Sequence, residues 1–463
     1  MVLTLPLALL LGLACLLLLA SPWPYLAPLA FPALAALAVL YRKPVWGLLV
    51  MLALVPFEGL FSAADAAAGS DGAGLTLSKL LGLALIAIAA LQVLLRQLSL
   101  QHLRSNLWPL LLAFLAWYLL SLAFSSHLGL SLQQLRQLAV GLVLFSLTVL
   151  FGRDFDLPAL ARVLVLSVAS TCVVALLSTS TQPASRAIGL LADPNYFALL
   201  ISVALPLALL LVVRAPRWPQ RLFWLAPLLL LLAGLGRTGS RSGLLVVLLT
   251  AAIATWHYRA RLKHLLTYHL GGLILAAAIA VPLAPALLPD SFIQRLEVLA
   301  SLKSGVKAYA DTSLARRSAY VVVGSQIIAE HPLLGSGPGT FPGVRQDRLR
   351  HRLLHPGLPV ELFREAHNTY LGMFSEVGVP GGLLFVGLIL LSLRNCQLAR
   401  RHWLSRGDPE RAALAAHFGL SCLALGCFLF FLSVPSHKYL WVMLGIASFL
   451  RRQADDDAAE VRP

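Results

Sequence analysis

Long apolar runs recur along this chain, and they constrain its fold more than any other feature. Residues 3–20, 77–95 and 130–150 approach or exceed the roughly 18–20 residues that a helix needs to cross about 30 Å of hydrocarbon. A helix satisfies its own backbone hydrogen bonds in lipid, so helices are the expected spanning elements. The pattern therefore predicts an all-α protein, a polytopic transmembrane helical bundle.

The composition agrees with this interpretation and excludes an ordinary soluble domain. Of 463 residues, 59% are hydrophobic and only 12% are charged, and that charged share is about half of what soluble domains carry. Length and hydropathy together predict about 12–14 membrane segments. The candidate segments lie near 4–20, 25–41, 44–57, 77–95, 107–124, 130–150, 158–178, 190–213, 222–236, 241–256, 267–287, 369–393, 412–433 and 438–450.

The net charge of +16 would suit a nucleic-acid partner, but the positions of the basic residues argue against one. They lie in short connections between apolar runs, where basic residues set the orientation of membrane helices. The clusters fall around residues 42–43, 96–104, 153, 214–221, 259–263, 394–406 and 451–452. By the positive-inside rule these connections and both termini are predicted to be cytoplasmic. We therefore expect membrane lipids, and no nucleic acid, as partners.

The opposite connections are predicted to be external, and one of them is long enough to hold a substructure. It contains two amphipathic helix candidates, 291–303 and 312–330, a glycine-rich turn, and a basic stretch over 345–364. The chain is thus predicted to have four regions. They are an N-terminal transmembrane bundle (1–287), a large external helical loop (288–368), C-terminal transmembrane helices (369–450) and a disordered cytoplasmic tail (451–463).

The sequence contains no strong signal for a metal site or a disulfide framework. Its five cysteines are odd in number, and Cys172, Cys422 and Cys427 lie inside apolar runs, so they are predicted to act as small hydrophobic residues. Residues 154–156 have the Asp-X-Asp spacing of a metal site. They come just before Pro158, however, and a helix start is the better interpretation. We expect no metal and no cofactor.

Several arginines depart from the charge pattern because they lie on the predicted external side, close to membrane segments. A cation at the centre of a bilayer costs about 2.5–3.5 kcal/mol on insertion scales, so these residues ask for an explanation. They are Arg186, Arg237, Arg241, Arg316 and Arg317, and His367 and Asn368 lie on the same predicted face.

Guanidinium groups that meet helix N-termini bind phosphate or pyrophosphate well. Residues 193–194 and 240–243 are candidate helix starts beside these arginines, and the pattern predicts an external anion site. Taken singly, an external arginine is more often an anchor to lipid headgroups, and His367 is more often a capping or core histidine. Residues 335–339 are interpreted as a turn, because they lack the lysine of a phosphate loop.

Residues 367–381, with the sequence His-Asn-Thr-Tyr-Leu-Gly-Met-Phe-Ser-Glu-Val-Gly-Val-Pro-Gly, resemble a motif of the O-antigen ligase and polymerase superfamily, a group of bacterial membrane glycosyltransferases. In that family the histidine-led motif closes a large periplasmic loop. Residues 317–320 and 331–341 are similar to the family's loop arginine and its Pro-Leu-Leu-Gly turn. Residues 240–243 and 186–195 are similar to two further signatures, in the expected order.

The resemblance covers roughly residues 180–390 and implies a function. Members of the superfamily transfer an oligosaccharide or polysaccharide from an undecaprenyl-pyrophosphate carrier to an acceptor sugar. The resemblance implies a metal-independent, inverting glycosyltransferase in the bacterial inner membrane, with its active site facing the periplasm. The expected partners are the lipid-linked glycan donor, a lipid A-core or other glycan acceptor, and membrane lipids.

Roles for individual residues follow from the matching motifs. His367 is the expected general base toward the acceptor hydroxyl, and Arg241, Arg317 and Arg186 are expected to stabilise the departing pyrophosphate. The spacing of the motif favours Arg317, although the adjacent Arg316 is an alternative. Further residues expected to bind pyrophosphate or glycan are Asn195, Arg237, Ser240, Arg316, Asn368 and Glu376.

Several alternatives stay open at this point. A ligase that transfers glycan to lipid A-core is favoured because the loop is basic, but a polysaccharide polymerase or a protein O-glycan ligase would use the same donor. Helix packing explains Glu376 as well as substrate binding does, and an interfacial helix explains the basic stretch as well as an anionic acceptor does. A transporter is a second alternative, but the chain shows neither a repeat nor charges centred in its apolar runs.

Overall fold

The structure is a computed structural model that describes residues 30–60, 77–181, 187–191, 193–257, 312–345 and 365–459, together with isolated positions at 12, 16, 19, 20, 28 and 259. Within these residues every regular element is helical, which confirms the predicted all-α class. The α-helices are α1 (Ala30–Arg42), α2 (Pro44–Leu54), α3 (Leu77–Leu94), α4 (Trp108–Ala123), α5 (Leu128–Leu150), α6 (Leu157–Thr181), α7 (Pro194–Arg214), α8 (Trp218–Thr238), α9 (Arg241–His257), α10 (Thr312–Glu330), α11 (Phe341–Arg345), α12 (Thr369–Glu376), α13 (Gly378–Ser405), α14 (Pro409–Phe428) and α15 (Lys438–Ala459).

Seven helices of the described part are long and apolar enough to cross a membrane, namely α3, α5, α6, α7, α8, α13 and α14. α1 and the helix that begins with α2 pass the same test together, but they are bent by 112° at the break between them. α4 and α9 are shorter apolar helices. The protein is therefore a polytopic helical bundle, as predicted. The expected segments near 4–20 and 267–287 lie outside the described residues.

The core of the bundle is built around α7. In its most apolar stretch 78% of the residues are buried inside the protein, against 17% in α3, which therefore lies at the periphery. The Ser421 hydroxyl on α14 donates a hydrogen bond to the carbonyl oxygen of Val203 on α7, at 2.8 Å. Such bonds satisfy polar groups where no water reaches them.

Local signals in the sequence place two helix starts that matter for the candidate site. The carboxylate of Asp193 accepts hydrogen bonds from the backbone N–H groups of Asn195 (2.7 Å) and Tyr196 (3.0 Å), and so caps α7. α8 ends at Gly239, whose φ of +57° is a left-handed conformation that glycine adopts easily. Arg241 then becomes the first residue of α9.

The helix ends form two groups of connections. One group, called the basic end, comprises residues 95–107, 151–156, 215–217 and 406–408, together with the last turns of α15. There Arg214 pairs with Glu410 (3.0 Å), and Arg411 pairs with Asp457 (2.9 Å). The other group, called the site end, comprises residues 58–60, 124–127, 187–191, 193, 239–240, 331–340, 365–368, 377 and 429–437.

Hydrogen bonds join the connections of the site end to each other. The N–H of Ser126 donates to the carbonyl of Ser336 (3.0 Å), and the N–H of Thr369 donates to the carbonyl of Leu429 (2.7 Å). The connections that the charge pattern assigned to one membrane face thus lie together. That this face is periplasmic stays a prediction.

The external loop is described in part. The helix expected over 312–330 is present as α10, and the turn expected over 335–339 is present between α10 and α11. The other predicted loop helix, 291–303, and residues 346–364 of the basic stretch lie outside the described residues.

One predicted membrane segment, 369–393, is divided in the structure. It splits into α12 and α13 at Gly378, which has a φ of +73°. A Cβ atom at this position would lie 1.9 Å from the carbonyl oxygen of Leu333. The break therefore depends on a close approach of the loop turn, which local hydrophobicity does not report.

The C-terminal tail also differs from the expected disorder. α15 continues to Ala459, so residues 451–459 are helical. The carboxylate of Asp457 accepts hydrogen bonds from Trp403 Nε1 (3.1 Å) and Arg411 Nη1 (2.9 Å). These partners on α13 and α14 hold an acidic segment that would otherwise repel itself. Residues 460–463 lie outside the described residues.

Candidate functional site

His367 occupies a strained position at the entry to α12. Its φ is +49°, in the left-handed region that residues with a side chain rarely adopt. Its ring stacks on the ring of Tyr320 from α10, with centroids 5.7 Å apart and planes 22° apart. The next residue, Asn368, caps α12 by accepting a hydrogen bond from the N–H of Leu371 at 3.1 Å. Strain of this kind costs on the order of 1–3 kcal/mol and persists only where the surroundings hold it.

α10 is held against His367 by an apolar cluster of its own. Tyr320, Val323 and Ile327 on one face of α10 pack with Phe341 and Ala366. Tyr320 is only 3% exposed, so its ring is a fixed platform. This cluster positions the loop helix over the start of α12.

Arg317 lies one turn before Tyr320 on the same helix. Its guanidinium carbon is 6.0 Å from the centroid of the Phe431 ring, at the outer limit of a cation–π contact. Phe431 belongs to the connection between α14 and α15. Arg316 is half-buried next to it. The choice of Arg317 over Arg316 stays a prediction.

Thr369 fixes the connection that carries Phe431. Its hydroxyl donates to the carbonyl of Leu432 (2.6 Å) and accepts from the N–H of Val434 (3.0 Å), and its own N–H donates to Leu429. The residue two places after His367 therefore ties this connection to the start of α12.

A second group of candidate residues joins the starts of α7 and α9. The buried Ser240 hydroxyl donates to Asn195 Oδ1 (2.8 Å) and accepts from the N–H of Gly243 (3.1 Å). Ser242 Oγ lies 3.2 Å from the same hydroxyl. Arg241, half-buried, begins α9 between these two serines. Two helix N-termini and a guanidinium group therefore meet, which is an arrangement that favours anions.

Arg237 and the segment of Arg186 meet beside this group. The carbonyl oxygen of Arg237 accepts a hydrogen bond from the N–H of Ala187 at 2.9 Å. Arg186 itself lies outside the described residues. The neighbouring residue nevertheless brings its segment to the last turn of α8.

The connection between α14 and α15 contacts both groups. Near its start Phe431 faces Arg317, and at its end the ring of His437 lies 5.0 Å from the ring of Tyr196, next to Asn195. His437 is buried, and burial together with the adjacent Lys438 lowers its pKa to about 3. His437 therefore stays neutral at physiological pH. Residues 429–437 thus join the two groups into one candidate site.

Glu376 is directed into the protein, toward the glycine-rich turn. Its carboxylate accepts hydrogen bonds from the N–H groups of Gly339 (2.9 Å) and Phe341 (3.2 Å), and its carbonyl accepts one from Gly337 (2.9 Å). Burial raises its pKa to about 7, although the two N–H bonds lower it. These N–H groups are occupied by Glu376, so the turn is not a phosphate loop. A direct contact between Glu376 and substrate stays a prediction.

Serine side chains hold the glycine-rich turn from the opposite side. Hydroxyl groups near the junction of α4 and α5 donate to successive carbonyl oxygens of the turn at 2.6–2.9 Å. These pairs are Ser121 with Leu334, Ser126 with Ser336, and Ser131 with Pro338. The turn is therefore a rigid support for α10 and α12.

Residues that the sequence did not single out complete this geometry. Tyr320 and Thr369 enter the prediction only as parts of motifs, and Phe431, Tyr196 and His437 carry no predicted role. Their one available signal is position, since each lies in or beside a predicted external connection. Within the described residues, no group of three or more His, Cys, Asp or Glu side chains is arranged to hold a metal ion.

The geometry defines a class of protein, namely a polytopic helical membrane protein with arginines and a histidine gathered at one end of its bundle. The O-antigen ligase family model matches residues 226–386, so this part of the chain is similar to the O-antigen ligase superfamily. The match includes every predicted site residue except Arg186 and Asn195. It confirms the resemblance and supports glycan transfer of the ligase or polymerase type. A search of curated proteins gives no match.

Proposed function

We propose that this protein transfers an oligosaccharide or polysaccharide from undecaprenyl pyrophosphate to lipid A-core on the periplasmic face of the bacterial inner membrane. The family match supports glycan transfer in general. The observation that carries the finer proposal is that residues 429–437 contact both the group of His367 and Arg317, through Phe431, and the group of Arg241, through His437 and Tyr196. A lipid-linked diphosphate needs cationic groups at the membrane surface, next to a base that can activate an acceptor.

In the proposed reaction His367 takes the proton of the acceptor sugar hydroxyl as that oxygen bonds to the anomeric carbon of the donor. The bond between this carbon and the pyrophosphate oxygen breaks, and its electron pair leaves with undecaprenyl pyrophosphate. A single displacement inverts the configuration of the anomeric carbon. The stacked Tyr320 ring fixes the plane of the imidazole, so that one nitrogen is directed toward the acceptor.

Arg241 and Arg317 are proposed to neutralise the charge that grows on the departing diphosphate, with Arg186 as a third cation. We propose that these guanidinium groups supply the counter-charge without a divalent cation. A single donor of this kind is worth about 2.7–4 kcal/mol of barrier. Asn195, Ser240 and Asn368 hold the helix starts in place, and Arg237 and Arg316 are proposed to contact diphosphate or glycan.

The test is turnover by the purified full-length protein, given an undecaprenyl-pyrophosphate-linked glycan and lipid A-core in the presence of a chelator. We expect glycosylated lipid A-core with inverted anomeric configuration, detected by mass spectrometry and NMR. His367→Ala should lower kcat by about 100- to 10,000-fold. The matched control is His127→Ala, an exposed histidine at the same end of the bundle. Turnover that requires a divalent metal, or is retained in His367→Ala, would contradict the mechanism.

The product separates the ligase from its alternatives. Glycan that lengthens on the carrier, with lipid A-core unchanged, identifies a polymerase. Glycan attached to an added acceptor protein identifies a protein ligase, and binding of the donor without release of carrier pyrophosphate identifies a transporter. In a disrupted strain, a ligase predicts that long glycan persists on the carrier and is lost from lipid A-core.

A further inference from the structure

A polar cavity lies at the basic end, between the connection that leads into α4 and the last turns of α15. Its volume is about 380 Å³, within the range of about 300–1,000 Å³ found for small-molecule sites. Its lining includes Arg104 and Ser105 from the connection, and Ser448, Arg452 and Asp456 from α15. These residues lie outside the part of the chain that the family model matches, and the candidate site lies at the other end of the bundle.

Arg452 carries a buried donor group at this cavity. Its Nη1 donates a hydrogen bond to the carbonyl oxygen of His102, and its guanidinium carbon lies 5.9 Å from the centroid of the Phe449 ring. Its Nη2 is buried and has no hydrogen-bond partner within the described residues. Burial and the nearby Arg153 lower the pKa of Arg452, but an arginine in a protein stays protonated. A fixed cation with an unused N–H donor is costly without an acceptor.

The charges that line the cavity leave a surplus of one cation. Arg451 pairs with Asp455 at 2.6 Å. Arg104 and Arg452 remain, against the carboxylate of Asp456, and the described residues place no carboxylate within ion-pair distance of either arginine. The cavity is therefore complementary to an anion of single charge. A phosphodiester carries one negative charge, whereas a phosphomonoester carries about 1.5–2 at neutral pH.

The depth of the cavity in the membrane indicates where such a phosphodiester comes from. Ser448 is 1% exposed and its hydroxyl donates to Ser105 Oγ, so this side of the cavity is closed. Arg104 on the other side is exposed. Trp108 is the first residue of α4, and tryptophan is enriched where membrane helices meet the headgroup region. The cavity therefore lies at the level of lipid headgroups.

We propose that this cavity binds the phosphodiester group of an anionic glycerophospholipid, with Arg452 and Arg104 as its cationic partners. Basic pockets between membrane helices on the cytoplasmic side bind anionic headgroups, and the charge pattern predicts that this end is cytoplasmic. The bound phosphodiester gives the buried Nη2 of Arg452 a charged acceptor. This lipid is a structural ligand of the bundle and takes no part in the proposed reaction.

Two variants and a control separate the cavity from the general positive charge of this end. Arg104→Gln removes an exposed cation, so the fold should be retained. Arg452→Gln removes the half-buried cation. The control is Arg406→Gln, which removes an exposed arginine of the same end that does not line the cavity.

The experiment measures the Kd of the full-length protein in detergent for phosphatidylglycerol and for its deacylated headgroup, glycerophosphoglycerol. Helical circular dichroism is the folding check. Arg104→Gln should weaken phosphatidylglycerol binding about five-fold, and Arg452→Gln about ten-fold or more, because a charged hydrogen bond is lost. Arg406→Gln should change the Kd less than about two-fold. Glycerophosphoglycerol should bind at least about 100-fold more weakly than the lipid, because it lacks the acyl chains.

Three results would overturn this inference. Unchanged phosphatidylglycerol binding in Arg104→Gln and Arg452→Gln would remove the lipid from the cavity, and equal weakening in Arg406→Gln would assign binding to surface charge in general. Glycerophosphoglycerol that binds as tightly as the lipid would make the ligand a soluble phosphodiester. If Arg452→Gln loses its helical signal, Arg104→Gln decides alone. No glycan transfer is measured, so failure here leaves the proposed function intact.

Discussion

The two ends of this bundle hold their connections together by different means. At the basic end the joining contacts include ion pairs with exposed members, beside hydrogen bonds such as the pair between Asn106 and Asn395; in the ion pair of Arg214 with Glu410 the side chains are 26% and 76% exposed. Such pairs contribute about 0–1 kcal/mol each. At the site end one ion pair, Lys438 with Glu58, is accompanied by backbone hydrogen bonds, buried hydroxyl groups and stacked rings. The contacts of the basic end thus hold the helices in their orientation, whereas the contacts of the site end fix the positions of individual side chains and backbone groups.

The backbone shows the same contrast. Six residues of the site end have positive φ, namely His367, Gly189, Gly239, Gly335, Gly337 and Gly339, and so does Gly378, which directly follows it. In the described part of the basic end only Arg96 and Gly407 do so. Glycine adopts a positive φ at little cost, so the strained residues are His367 at the site end and Arg96 at the basic end, whereas the glycines mark tight turns that gather at the site end. The comparison therefore supports a site at one end and a topological signal at the other.

Catalysis should separate the two ends most clearly. Arg241→Ala and Arg317→Ala should each lower kcat by about 100- to 1,000-fold, because each removes counter-charge from the leaving diphosphate. Arg411→Ala removes a cation of the basic end that pairs with Asp457 and should change kcat less than about two-fold. Rates would be measured on the lipid-linked donor with lipid A-core. Equal losses from all three variants would abolish the distinction between the ends.

Stability should separate them next, at two glycines with nearly the same backbone. Gly378 has a φ of +73° and Gly407 a φ of +72°. Alanine in this conformation costs roughly 1–2 kcal/mol at either place. At Gly378 its Cβ would also collide with the Leu333 carbonyl, whereas nothing lies within 4 Å at Gly407. Overpacking adds about 1–3 kcal/mol, so Gly378→Ala should lower the unfolding free energy by about 3 kcal/mol, and Gly407→Ala by half of that or less.

The measurement for this pair is reversible unfolding in detergent micelles. The difference between the two variants isolates the packing of the loop turn against the break between α12 and α13. Equal destabilisation would show that the turn does not press on Gly378.

Glu376 should make the stability of the site end depend on pH. Burial raises its pKa from 4.5 to about 7, so between these values the folded protein binds more protons than the unfolded chain. The free energy of unfolding should therefore be highest in acid and fall as pH rises from about 4.5 to 7, by about 3 kcal/mol. Glu376→Gln cannot titrate and should show a flatter profile. Burial also raises the pKa of Glu365, so the difference between the two profiles is the quantity to measure. Parallel profiles would assign the pH dependence to other groups.

The fold was largely predictable because lipid imposes simple rules. A membrane segment must be long, apolar and helical, and its connections carry the charges that orient it. The break at Gly378 is not predicted because residues 369–393 are mostly apolar, and the break depends on the close approach of the Leu333 carbonyl. The helical tail was missed because Asp457 has its partners at Trp403 and Arg411, which are distant in the sequence.

Short sequence motifs predict part of the candidate site, and the residues outside these motifs have no local signal. His367, Arg317 and Ser240 are parts of short patterns with a recognisable order. Phe431 and His437 follow an ordinary apolar run, and their importance comes only from which rings they meet in the folded protein. Sequence motifs therefore point to the residues proposed for chemistry more readily than to the residues that position them.

The smallest expected effect is the coupling energy of the ion pairs at the basic end. A double-mutant cycle on Arg214→Ala and Glu410→Ala should give a coupling energy of about 0.2–1 kcal/mol in thermal unfolding, because Glu410 is 76% exposed. Between about 0.1 M and 1 M salt the screening length falls from about 10 Å to about 3 Å, so the coupling should nearly vanish. A salt-resistant coupling above about 2 kcal/mol would mean that the basic end is rigid as well, and that rigidity alone does not mark the site.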